Sequence, residues 1–205
     1  RAARGLGGNR LPRPLHDGGR IGRSALFLGP AIAARASSMS EKDLIPFLQR
    51  ADEMQQHDRR VAYHCRMYAL ETGMAITVKS KELEGLLVAI ITQLEKDKAV
   101  AGLQDDASEK EHLYKFAEGI WARADRIDRA GRADTSTAKT FYAASVFFEV
   151  CKIFGELPVE TAAKQKYAAW KSADIHKAIK EGRTPTPGGA HQDAAEGGAA
   201  EGGAG

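Results

Sequence analysis

The sequence predicts an all-α protein organised as three helices, a short connection and three more. Three observations carry that prediction. Apolar residues recur at helical spacing in six separate segments between Ser40 and Glu181. Capping residues, glycines and prolines punctuate those segments at their ends. No segment alternates apolar and polar residues as a half-buried strand does.

Taken in order, Ser40 and Asp43 have capping-box spacing, and Pro46 sits in the first turn, where a missing N–H is harmless. Leu44, Phe47, Leu48, Ala51 and Met54 then mark one helical face. The second helix is expected over 59–76, after a break at Asp58. The third, over 80–98, carries Leu83, Leu86, Leu87, Ile90, Ile91 and Leu94. The connection AVAGLQDD follows. Ser108 and Glu111 suggest a second capping box, opening a long helix with Leu113, Phe116, Ile120, Trp121, Ala124 and Ile127. Gly131 is a natural left-handed stop for it. The fifth helix, over 135–154, is apolar almost all round at Phe141, Ser145, Phe148 and Cys151, so it belongs at the centre of its group. Gly155 ends it, and Pro158 starts a sixth helix carrying Ala163, Tyr167, Trp170 and Ile179.

The flanks have a different character. Residues 1–38 hold seven Arg against one acid, Asp17, so the +3 of the 205-residue chain belongs to this leader and the remainder is net acidic. A nucleic-acid reading based on the overall basic balance is therefore misplaced. The leader has the Arg-rich, acid-poor look of a transit peptide, and is expected to be disordered. The reading preferred here is a start at Met39, where Met-Ser-Glu-Lys runs straight into a helix signal. Residues 184–205, from TPTPGG onward, have almost no bulky apolar side chain and are expected to form a disordered linker. No apolar run approaches the roughly 20 residues needed to span a bilayer.

The stretch DRRVAYHCRMYALETGM, 58–74, raises the question of chemistry because His64 stands beside Cys65. On a helix, neighbours point about 100° apart, so the pair cannot form a nucleophile–base hydrogen bond with each other. His64 is expected on the solvent side, with Cys65 a small buried hydrophobe. His57 and His64 have no third ligand at metal spacing. Asp105–Asp106 and Asp125–Asp128 are read as helix-start or exposed-face acids. The lysines at 164, 166, 171, 177 and 180 are read as a solvated face. Nucleotide-binding and hydrolase motifs are missing from the sequence. The expectation is a binding protein, not an enzyme, with no catalytic residue, metal or cofactor.

VAYHCRMYALETGM resembles the second helix of the Vta/LIP family, whose pattern there is VAYYCRxYAxxxG. The match runs through Val61, Ala62, Tyr63, Cys65, Arg66, Tyr68, Ala69 and Gly73, and departs at His64, normally Tyr. QLEKDK, ADxxDRAGR, KxFYxAS, FGEL and KYAxWKxxxIHK follow in the family's order, so the likeness covers roughly 43–187, with plant members most alike. Members are adaptors of the ESCRT pathway and cofactors of its AAA ATPase. The resemblance implies two tandem three-helix MIT-type bundles packed together, over 39–100 and 101–183. Each would take the C-terminal tail of an ESCRT-III subunit, in the cytosol and peripherally at endosomal and multivesicular-body membranes. The family's AAA ATPase contact lies in a C-terminal domain that the sequence ends before. The competing reading is a generic helical scaffold such as a tetratricopeptide pair, but the two halves share no 34-residue repeat.

A groove between two helices suits the apolar stripe of an amphipathic partner. Leu83, Leu87, Ile90 and Leu94 are expected to face inward. Val88 and Ile91 are then left half-exposed beside Tyr63, Met67 and Leu70, with Glu84 and Glu95 placed to receive a partner arginine; for Ile91 and Met67 ordinary core is the alternative, and the family resemblance favours the groove. In the second half Trp170, with Tyr167 and Lys171, fits either a core ring against Phe141 or Phe148 or an anchor for partner leucines, and the family match implies the anchor. Trp121 is assigned to the core.

Overall fold

The computed structural model describes residues 39–188, so the expectations for the leader and for 189–205 lie outside the described residues. Six α-helices account for most of it: α1 Ile45–Met54, α2 Arg59–Ala75, α3 Lys81–Val100, α4 Asp106–Arg129, α5 Thr135–Val150 and α6 Val159–Lys180. The described residues contain no strand, and the all-α prediction holds.

α2, α3, α4 and α5 each begin where a side chain accepts orphan amides, α1 continues a capped 3₁₀ turn, and α6 starts at Pro158 with no side-chain cap. Asp43 Oδ2 accepts from the Ser40 amide at 2.7 Å, starting a 3₁₀ turn, Glu41–Leu44, that runs into α1. Asp58 caps α2, accepting from the amides of Arg60 and Val61 at 3.1 Å each. Ser80 Oγ accepts from Leu83 at 3.1 Å and starts α3. At α4 the expected Ser108–Glu111 box is displaced. Asp105, one turn earlier, accepts from the Ser108 amide at 3.1 Å, and a carboxylate already in place there makes Ser108 the third residue of the helix. Glu111 turns forward instead, to Lys115 at 2.6 Å.

Gly131 stops α4 as expected, with φ +66°, while the Arg132 amide reaches back to the Ile127 carbonyl at 3.2 Å. The fifth helix is shorter than its periodicity suggests. It tightens into a 3₁₀ turn, Cys151–Phe154, before Gly155 redirects the chain at φ +111°.

α2 packs against both α1 and α3, and α5 against both α4 and α6. α1 and α2 also meet α5, so the two halves share one core. It runs from Phe47, Val61 and Tyr68 through Phe141, Phe147 and Phe148 to Ile175. Each such side chain contributes about 1.5–3 kcal/mol on full burial, which explains why the near-uniformly apolar α5 sits in the middle. A smaller cluster of Leu44, Ile76, Leu83 and Leu87 closes the end of the first half. Gly73 permits that closure, since a Cβ there would stand 2.6 Å from Leu87 Cδ2 and 3.0 Å from Leu44 Cδ1.

Candidate functional site

The His64–Cys65 pair is structural. Cys65 and Cys151 are both fully buried, and burial pushes the Cys65 thiol far above its usual range and the Cys151 thiol up to about 12. Neither forms a thiolate near neutral pH. His64 is not on the solvent side as expected. It is buried, with Nε2 2.8 Å from Glu109 Oε2 and its ring edge-on to Phe154 at 5.2 Å. Burial lowers its pKa even though the Glu109 bond pulls the other way. The reason is tertiary: Glu109 arrives from α4 and supplies the acceptor that makes an inward imidazole affordable.

Glu109 itself is only 3% exposed and had no signal in the sequence. Its carboxylate accepts from Arg60 Nε at 3.0 and 3.2 Å and from the Gln104 amide at 2.7 Å. Burial alone would raise its pKa, but these bonds outweigh that and hold it low. Arg66 plays the matching part within the first half. It meets Asp97 at 2.6 Å, Asp52 at 2.9 Å and Gln55, tying α1, α2 and α3.

The Asp125–Asp128 reading also needs correction. Both are buried, not on an exposed face; Asp125 pairs with Arg129 at 2.6 Å, and Asp128 is completely enclosed. Opposite Asp128 lies Lys171, 1% exposed, with Nζ 3.3 Å from Asp128 Oδ2 and donating to the Thr186 carbonyl at 2.5 Å. Lys171 is therefore neither on a solvated face nor accessible to a partner, because its ammonium is consumed by an internal carboxylate. Lys164 likewise lies close over α4, 3.1 Å from Glu118 and 5.1 Å above the Trp121 ring. Trp121 is in the core, as expected.

Among the large apolar side chains left exposed are those the sequence placed on two faces. On α3, Val88 is 64% and Ile91 42% exposed, while Leu83, Leu87, Ile90 and Leu94 point inward. Glu84 and Glu95 are exposed on the same α3 face, since spacings of four, three and four residues keep 84, 88, 91 and 95 together. On α2, Tyr63, Met67 and Leu70 are half-buried. Met74, one turn beyond Leu70, extends that stripe and is exposed; its spacing from Met67 and Leu70 could have marked it in the sequence. On α6, Trp170 is 51% exposed, with the half-buried Tyr167 ring tilted against it at 5.8 Å and the Lys171 ammonium 5.7 Å from its ring centroid.

Among the described residues no cluster of three or more His, Cys, Asp or Glu is arranged to hold a metal, and no helix is long and apolar enough to cross a membrane. Fold and surface together define a helical bundle that presents apolar side chains on two faces. The chain belongs to the Vta1-like family, whose model matches residues 43–181. It is 54% identical over 147 residues to the Arabidopsis thaliana homolog of mammalian LYST-interacting protein 5, covering 71% of this chain and 34% of that one. The human vacuolar protein sorting-associated protein VTA1 homolog is 40% identical over 141 residues, covering 65% and 46%. The Dictyostelium discoideum protein of the same name is 38% identical over 151 residues, covering 71% and 28%. The chain thus spans less than half the length of each of these relatives.

Proposed function

We propose that this chain is an adaptor in vacuolar protein sorting that captures C-terminal tail helices of ESCRT-III subunits on its two apolar faces. It makes and breaks no covalent bond. The observation that carries the reading is Trp170, a large aromatic half exposed on α6 beside the half-buried Tyr167. Tryptophan is over-represented at binding hot spots, where a few large side chains carry most of the energy. Val88 and Ile91, flanked by Glu84 and Glu95, form the second face, which suits an amphipathic tail carrying an arginine. The names of the relatives support the sorting role, and in this reading the adaptor links those subunits to the AAA ATPase. Peripheral association with endosomal and multivesicular-body membranes follows from the partners. The two halves, 39–100 and 101–183, act in this reading as MIT-type modules.

Magnitudes account for having two faces. Three partner leucines contribute about 5–9 kcal/mol gross on full burial. Lost translational freedom and ordering of a tail cost about 4–15 kcal/mol. A single face is therefore weak, and two faces meeting adjacent subunits of a filament gain by effective concentration. Titrating the full chain with ESCRT-III tail peptides tests the reading, with Trp170→Ala and Ile91→Asp as separate probes. Each variant should lose one class of tail, and assembled filaments should bind far more tightly than free tails. If both variants bind every tail like the parent, the two faces are not the docking sites.

A further inference from the structure

Residues 184–188, read from composition as the start of a disordered linker, are instead laid against the bundle. Pro185 is buried, and Pro187 Cγ lies 3.7 Å from where a Gly131 side chain would begin. The Thr186 carbonyl accepts from Lys171 Nζ at 2.5 Å, and the Gly188 amide donates to Asp128 Oδ2 at 3.0 Å. Both ends of one buried ion pair are thereby spent on the main chain of this strap. A side chain at 188 would not fit, because its Cβ would stand 2.7 Å from the Tyr167 hydroxyl and 3.0 Å from Lys171 Nζ.

The strap's contacts coincide with those that hold Trp170. The Tyr167 ring lies tilted against the Trp170 ring, and Lys171 sits over it. These two side chains are the ones against which Gly188 rests. We propose that the 184–188 strap is a wall of the Trp170 docking face, and that Lys171, Asp128 and Gly188 are positioning residues which couple strap docking to partner capture there. The proposal rests on Trp170 being a docking anchor, and it adds a regulator of that anchor. With the strap seated, Tyr167 and Lys171 are fixed and the indole presents one edge to a partner. With the strap released, Lys171 gains water in place of the Thr186 carbonyl, Tyr167 loses its neighbour, and the indole is no longer held. By linkage, whatever favours strap docking favours partner binding, and a bound partner in turn holds the strap down.

The test uses the full chain with Gly188→Val, which crowds the strap while keeping the Lys171, Asp128 and Trp170 side chains. Lys171→Met is the second variant, and circular dichroism melting verifies that both fold. Three readouts are taken: tryptic cleavage after Arg183, acrylamide quenching of tryptophan fluorescence, and affinity for ESCRT-III tail peptides that Trp170→Ala abolishes. Trp121 is enclosed, so the change in quenching reports Trp170. In Gly188→Val we expect faster cleavage at Arg183, stronger quenching and affinity lower by about fivefold or more, the usual range for coupled sites. Unchanged cleavage and quenching in both folded variants would show that the strap does not hold the site. Faster cleavage with unchanged quenching and affinity would show a strap that docks without coupling, which overturns the proposal equally. If no tail binds the parent, the docking reading fails, and the quenching comparison still decides whether the strap positions the indole.

Discussion

His64 Nε2 and Glu109 Oε2 meet at 2.8 Å across 45 residues of sequence, joining the centre of the first three helices to the start of α4. The bond fastens the first half to the second through a carboxylate that also binds Arg60 and the Gln104 amide. Together with Tyr68, which donates to Glu149 Oε1 of α5 at 2.9 Å, it gives the shared apolar core a polar register.

Removing Glu109 leaves Arg60 and His64 facing a buried void. Breaking such a pair costs about 3–5 kcal/mol, because the surviving charge is uncompensated. Glu109→Ala should lower the urea midpoint accordingly, and a loss below 1 kcal/mol would contradict the clasp.

His64 makes stability pH-dependent in a definite direction. Its folded pKa is lowered by burial, so as pH falls through the unfolded value, about 6.5, the unfolded chain takes up a proton that the folded chain refuses. Stability is complete above that pH and is lost as pH drops toward the folded value. Guanidinium melts at pH 7.5 and 5.5 should show the loss in the parent and a smaller one in His64→Gln.

Glu71 has the opposite sign. Half-buried on α2, its carboxyl is pushed up to about 7 by burial, above its unfolded value. The folded state therefore holds the proton more tightly, and stability declines as pH rises from the unfolded value through about 7. Glu71→Gln should raise the melting temperature at pH 8 and leave it nearly unchanged at pH 4. An increase of the same size at both would exclude the ionisation as the cause.

The two tryptophans should separate cleanly. Trp121→Ala empties a core position and should cost about 3–5 kcal/mol of stability. Trp170→Ala, at a half-exposed site, should leave thermal stability close to that of the parent while weakening a tail by 2 kcal/mol or more if the docking reading holds. Paired denaturation and titration curves read both.

Much of this architecture is written locally. The spacing of Leu83, Leu87, Ile90 and Leu94 on α3, and the apolar girth of α5 around Phe141 and Phe148, dictate helices and the faces they bury. Both follow from a 3.6-residue period that each segment carries by itself. The same spacing leaves Val88 and Ile91 outward, so that face was legible too. On α6, the exposure of Trp170 was legible only through the resemblance to the family, since its position on the helix fits a core ring equally well.

The polar residues tell the opposite story. His64, Asp128 and Lys171 read as surface groups on their own helices, and all three are buried. A charged or polar side chain can leave water only when a partner waits inside, and those partners are supplied from elsewhere in the chain. Glu109 is 45 residues from His64, and Lys171 is brought to Asp128 of α4 from α6. The sequence alone determined six helices and their greasy sides, because helical period and capping are properties of neighbouring residues. Only the tertiary structure decided which charges turn inward, because desolvation is offset by contacts that no local pattern encodes.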